Sequence, residues 1–293
     1  MVVLILAGPT ASGKSALALE IAEQHGAEIV GADSRQIYRG MTIGTAAPTI
    51  EQRARVPHHL VEFLDPQERY SAARFRSDAL RAIGEIHARG RRALVVGGTG
   101  FYVRALCGDV ALSPAYDPEI RARLALEARL HPPEILHAWL AVHDPERARA
   151  IAPSDPYRIL RALEIALAKE RVANDLAPAD SVGIAFVKLA LDVPDGELDE
   201  RIAERVDRML RAGLIAEAER VGSSAVAADA VGYPQALAYL RGQLTAGELR
   251  RLLIRATRRY AKRQRTWFRS EPGMRFAARD DVLRKAREVW EAA

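Results

Sequence analysis

The sequence predicts an α/β fold, a parallel sheet with helices on both faces, into which an all-helical segment is inserted. Three observations carry this. An apolar run at 2–7 leads straight into a glycine-bounded loop and then into a segment of helical composition at 15–22. Further β-branched and apolar runs at 27–32, 92–96 and 185–191 alternate with helical segments. From about 113 to 180 there are helical signals and no strand.

The first loop reads Gly8, Pro9, Thr10, Ala11, Ser12, Gly13, Lys14, Ser15. Strand, glycine-bounded loop and helix are the context in which such a string cradles phosphate. Backbone amides and the positive end of the helix point at the anion. Lys14 would reach the terminal phosphate oxygens and Ser15 would offer a hydroxyl to Mg²⁺. The core is therefore expected to be P-loop NTPase-like, with a phosphorylated ligand.

The remaining elements follow in order. The run at 27–32 delivers Asp33 at its end, and a helix at 72–89 opens behind Ser71 as its cap. The run at 92–96 delivers Gly97, Gly98, Thr99 and Gly100. Within 113–180, Asp117-Pro118, Asp144-Pro145 and Asp155-Pro156 repeat one helix-opening chemistry, and Pro133 or Glu134 begins another helix. Residues 174–183 read as a mobile return loop. The strand at 185–191 ends at Asp192, and 197–221 is expected as one long amphipathic helix with Arg201, Arg205 and Arg208 on its polar side. The expected division is a core of 1–112 and 181–293 with a helical insertion at 113–180.

Charge is unevenly placed. The 293 residues carry a formal net charge of +5, yet 249–270 holds no acidic residue. Arg251, Arg255, Arg258, Lys262, Arg265 and Arg269 recur there at helical spacing beside an apolar face of Leu249, Leu253, Ala256, Tyr260 and Trp267. Such a stripe is either a solvated face or, since like charges so spaced repel and a polyanion would offset that, a surface for nucleic acid. No apolar stretch reaches the ~20 residues of a membrane helix. The single cysteine, Cys107, excludes an intramolecular disulfide framework and fits a reducing compartment, with the cytosol expected. Cys107 reads as a packed residue. No membrane partner is expected.

In an open parallel sheet, ligands sit at the carboxyl ends of the strands. The P-loop, Asp33 and Thr99 should share that edge. Asp33 could hold a metal through water, take a proton from a nucleophile, or cap the following helix. Gln36 is of the type that pairs bidentately with adenine. The adjacent His58 and His59 point to opposite faces of a strand and suit packing or RNA contact better than metal. Tyr38, Phe101 and Tyr233 are candidates for stacking on RNA bases.

The ordered motifs resemble the bacterial tRNA dimethylallyltransferases. They comprise the P-loop, then Asp33, Ser34, Arg35, Gln36, Ile37 and Tyr38, and Gly44, Thr45 and Ala46. Next come His58, His59 and Leu60, then Tyr70, Ser71, Ala72 and Phe75, and Gly97 to Tyr102. Val231, Gly232 and Tyr233, and Tyr260 through Arg269, complete the set.

The resemblance implies transfer of a dimethylallyl group from dimethylallyl diphosphate to N6 of adenosine 37 in tRNAs that read codons beginning with U. It implies Asp33 as general base and Thr99 as the contact to the bridging oxygen of the diphosphate. Gly8 to Ser15 and Arg205 would hold the diphosphate, with Mg²⁺ at Ser15. tRNA contacts would come from Asp33, Ser34, Arg35, Gln36 and Thr99, and from Arg121, Tyr157, Arg158 and Arg161. Further contacts would come from Gly232, Tyr233, Lys262, Arg263, Gln264, Arg265, Trp267 and Arg269. The helical insertion would be an arm closing on the anticodon stem-loop, and the enzyme is expected to act as a monomer. The alternative is a P-loop nucleotide or small-molecule kinase.

Overall fold

The computed structural model describes residues 1–110, 117–169 and 183–291. Six parallel strands form one sheet: β1 Val2–Ala7, β2 Ala27–Gly31, β3 His58–His59, β4 Arg92–Gly97, β5 Ala185–Leu191 and β6 Arg275–Ala277, in the order β3-β2-β4-β1-β5-β6. The edge strand β6 was not expected, and β3 was expected only as a strand setting His58 and His59 on opposite faces; at three and two residues they are too short to show a period. β1 lies between β4 and β5, with Ala7 level with Gly97 and Gly31 level with Val96. The carboxyl ends of β2, β4 and β1 therefore stand side by side.

Alternation along the strands sorts the core onto two faces. Leu4, Leu6, Leu94, Val96, Leu189 and Leu191 pack with residues of α1 Lys14–His25, α10 Asp195–Ala212 and α14 Arg279–Glu291. Val3, Ile5, Val30 and Val95 pack on the other face with residues of α4 Ala72–Ala88 and α5 Gly100–Cys107, and with Phe268. Phe268 belongs to α13 Ala246–Arg269, which a Thr245–Glu248 capping box opens. Ser71 caps α4 by accepting from the Arg74 amide at 3.1 Å.

Two short helices, α2 Thr42–Thr45 and α3 Ile50–Arg55, lie between β2 and β3. The helix expected over 197–221 is instead two. Gly213 takes φ 102° and ends α10, its amide donating to Leu210 and Met209, and α11 Leu214–Val221 starts a new direction. A residue with a Cβ would resist that conformation. α12 Tyr233–Leu240 precedes α13.

Contacts divide the chain into two units, Met1–Val110 with Ala179–Ala293, and Ala111–Pro178. The second unit holds α6 Pro118–Leu130, α7 Pro133–His143, α8 Pro145–Ala150 and α9 Pro156–Lys169 around Leu124, Leu136, Leu140, Ile159 and Leu163. Asp117, Asp144 and Asp155 accept from first-turn amides, so the Asp-Pro pairs open helices as the sequence indicates. The loop expected at 174–183 lies, but for Gly183, outside the described residues. No described helix is long and apolar enough to cross a membrane.

Candidate active site

The loop after β1 is held in a strained curl. Ala11 sits at φ 64° and Gly13 at φ 90°, and Gly13 opens α1. Lys14 donates back to the Pro9 carbonyl at 3.2 Å, and the Ser12 carbonyl accepts from Arg201 at 2.8 Å. Arg201 also pairs with Glu197. The buried Ser12 hydroxyl has no hydrogen-bond partner among the described residues.

This loop floors a cleft of about 240 Å³. Lys14, Ser15, Asp33 and Arg205 all line it. Burial lowers Lys14 to about 8 even though Asp33 opposes the shift, and burial lowers Arg205 to about 10, again against Asp33. Two cations in a poorly solvated place need an anion, and one carboxylate supplies only part of it. Val206, Met209, Leu214 and Leu253 form an apolar wall in the same cleft. Tyr260 lines it too; burial and then Asp33 hold its phenol neutral. A wider groove of about 920 Å³ meets the cleft at Lys14, Ser15, Ala46, Arg205 and Met209.

Asp33 serves its own turn and faces the cleft. Its Oδ1 accepts from the amides of Arg35 at 2.9 Å and Gln36 at 3.3 Å, while Oδ2 carries no hydrogen bond among the described residues. Thr99 accepts from the Ser34 amide at 2.9 Å and donates to the Ser34 hydroxyl at 3.3 Å. It thereby ties the end of β4 to the Asp33 turn, and it does not line the cleft wall. Arg35 pairs with Asp229 at 2.7 Å. The amide nitrogen of Gln36 donates to the carbonyls of Thr45 at 3.2 Å and Ala46 at 3.0 Å, and Arg205 donates to Thr45 at 3.3 Å. That nitrogen is engaged with backbone, so bidentate pairing of Gln36 with adenine would require it to leave two carbonyls.

Residues 42–46 are themselves fixed by Glu217, which the sequence reading missed. Its buried carboxylate accepts from the amides of Ile43 and Gly44, the Thr42 hydroxyl and the Tyr233 hydroxyl. On an amphipathic helix it reads as surface charge. Arg201 was placed only on a polar face; its spacing of four from Arg205 was the one hint.

Several residues expected to touch RNA are engaged within the protein. Tyr233 is fully buried against Gly44 and Glu217, so its ring is closed to a base, and Tyr38 is also buried. The Gln264 amide is buried between the P-loop and β4, bonded to Thr10 and Gly98. Arg265 is spent on Asp195 and the Val193 carbonyl. Trp267 packs against Gly100, with the Arg104 guanidinium 4.5 Å from its ring centroid.

On the same helix Lys262, Arg263 and Arg269 are exposed, Gly232 and Arg263 line the cleft, and Phe101 is 43% exposed. In the helical unit Tyr157 is exposed, Arg158 faces Asp155, and Arg121 and Arg161 face Glu164. His58 bonds the Val56 carbonyl and His59 bonds Glu28, which is packing. Burial pushes the Cys107 thiol up to about 12, so it is not a thiolate at neutral pH.

Among the described residues no three His, Cys, Asp or Glu side chains converge as a cation cage. The donors present are hard oxygens, the exposed Ser15 hydroxyl and the Asp33 carboxylate, which suit a divalent ion completed by phosphate oxygens and water.

Family comparisons agree over nearly the whole chain. The model described as IPP transferase matches residues 36–271, and that described as isopentenyl transferase matches residues 1–57. A tRNA dimethylallyltransferase of Thermomicrobium roseum is 44% identical over 98% of this chain and 92% of its own length. One from Anaeromyxobacter dehalogenans is 47% identical over 94% of each. The structure of the full-length tRNA isopentenylpyrophosphate transferase of Bacillus halodurans matches with a TM-score of 0.71 at 34% identity, covering 99% of this chain and 97% of that one.

Proposed function

The chain belongs to the tRNA dimethylallyltransferase family, and we propose that its cleft performs that chemistry on the adenosine beside the anticodon. It is a transferase that prenylates tRNA. The finer reading is that a dimethylallyl group passes from dimethylallyl diphosphate to N6 of adenosine 37, in tRNAs that read codons beginning with U. The observation that carries it is one cleft holding two poorly solvated cations, a strand-end carboxylate and an apolar wall. A five-carbon allylic diphosphate has an anionic part for the cations and a hydrocarbon part for the wall, which leaves the carboxylate for the acceptor amine. The kinase reading is not favoured: the charges would suit any phosphate, but an apolar wall beside them suits a hydrocarbon.

An allylic C–O bond breaks readily once the departing diphosphate is stabilised. Lys14 and Arg205, which line the cleft, and the amides at the start of α1 would stabilise that charge. Mg²⁺ held through Ser15 and the diphosphate oxygens would add neutralising charge. The adenine N6 lone pair is delocalised into the ring, so the nucleophile gains from orientation and a proton acceptor. The free Oδ2 of Asp33 would take the N6 proton, with Oδ1 fixed by its own turn. Thr99 would turn its proton from the Ser34 hydroxyl, a long bond, to the bridging oxygen.

The target base must leave its stack. Exposed Lys262, Arg263 and Arg269 supply the phosphate contacts, with Gly232 beside the cleft. Arg121, Tyr157, Arg158 and Arg161 of the helical unit would join them as an arm on the anticodon stem-loop of a single tRNA, with one chain sufficing. A binding comparison tests the donor: dimethylallyl diphosphate should bind well and ATP poorly. Robust ATP hydrolysis without tRNA would contradict the reading.

A further inference from the structure

Gln264 lies on α13 but serves the loop after β1. Its Oε1 accepts the backbone N–H of Thr10 at 2.8 Å, and its Nε2 donates to the Gly98 carbonyl at 2.8 Å. The residue is 6% exposed, and Gln264 and Thr10 both lie in the lining of the cleft, away from the outer face of α13. A Cβ at Gly98 would overlap Nε2, and one at Gly100 would overlap the Trp267 ring. The glycines after β4 thus admit α13 to within amide reach of the phosphate loop.

We propose that Gln264 is a positioning residue for the diphosphate. It takes the Thr10 amide out of the anion's donor set and fixes the curl at Ala11 through Gly13. The amides at the start of α1, with Lys14, are then left facing the cleft. The same helix presents Lys262 and Arg263 on its exposed side, so the surface proposed for tRNA and the diphosphate loop are two faces of one rigid element. This rests on the diphosphate reading of the loop.

The roles separate in binding. With Gln264→Met, a side chain of similar length that makes neither bond, two buried backbone groups lose their partners. The loop's ordering cost then falls on diphosphate binding. Gln264→Glu keeps an acceptor for Thr10 but sets a carboxylate against the Gly98 carbonyl, so it provides a second reading if the Met variant folds poorly.

The full chain and both variants are titrated with inorganic diphosphate in Mg²⁺ and, separately, with an anticodon stem-loop RNA, alongside thermal melts. The expected result is about a tenfold weaker Kd for diphosphate, a raised KM for dimethylallyl diphosphate, and RNA affinity unchanged. Weakened RNA binding with diphosphate binding intact would make Gln264 an RNA contact and overturn the proposal. So would parallel loss of both affinities together with a lowered Tm in both variants. Failure of the unaltered protein to bind diphosphate would overturn the diphosphate reading itself, and the proposal with it.

Discussion

Tyr233 donates its hydroxyl to Oε1 of Glu217 at 2.7 Å, and neither side chain meets solvent. The same carboxylate holds the amides of Ile43 and Gly44, so this pair sets the segment whose Thr45 carbonyl takes Arg205 and Gln36. Tyr233→Phe removes one donor from a buried carboxylate and should cost about 2 kcal/mol of stability, measured by denaturant unfolding. Gly44→Ala should be worse, because its Cβ would lie 2.6 Å from the Tyr233 ring.

Lys14 sets a pH dependence. Burial holds its ammonium near 8, below the ordinary 10.5. In the proposed role the protonated form binds the anion, so diphosphate affinity should be fullest below pH 8 and fall as pH rises through it. Arg205, near 10, keeps its charge over that range. Calorimetric titration with diphosphate from pH 6.5 to 9.5 reads the break. In Lys14→Arg the break should disappear from this range, since an arginine there stays protonated.

Charges on α13 divide into those paired with α10 and those exposed. Arg250, Arg258 and Arg265 meet Asp207, Asp199 and Asp195 of α10, whereas Lys262 and Arg263 are exposed. Lys262→Ala and Arg263→Ala should each weaken tRNA binding and lower the salt slope by about 0.7 to 0.9. Arg258→Ala should change it less. Filter binding across a salt series distinguishes them.

The three glycines around Thr99 should tolerate no side chain. A Cβ at Gly97 would overlap the Ala32 carbonyl, and one at Gly100 the Trp267 ring. Gly97→Ala should lower Tm and transfer together, since it forces the Asp33 strand away from β4.

Contiguous features were legible from the sequence. The P-loop, the Asp-Pro helix starts and the four main strands each lie within a short window where composition and period speak. Glu217 and Gln264 were not, because their meaning lies in partners 173 and 166 residues away. The acid-free stripe illustrates the difference. Read alone, its repulsion called for a polyanion, but two of its members, Arg258 and Arg265, and the adjacent Arg250 are balanced by α10 acids invisible in the α13 window. The break at Gly213 was missed because the apolar pattern continues across it.

The proposed transfer turns on Asp33 as the base for the prenyl acceptor. Labelled dimethylallyl diphosphate and bulk tRNA are incubated with the protein and with Asp33→Ala, the tRNA is digested, and the nucleosides are weighed by mass spectrometry. The account predicts a dimethylallyl group on adenosine with the unaltered protein, and none with Asp33→Ala while that variant still binds tRNA. Unmodified tRNA from the unaltered protein, or near-normal transfer by Asp33→Ala, would contradict it.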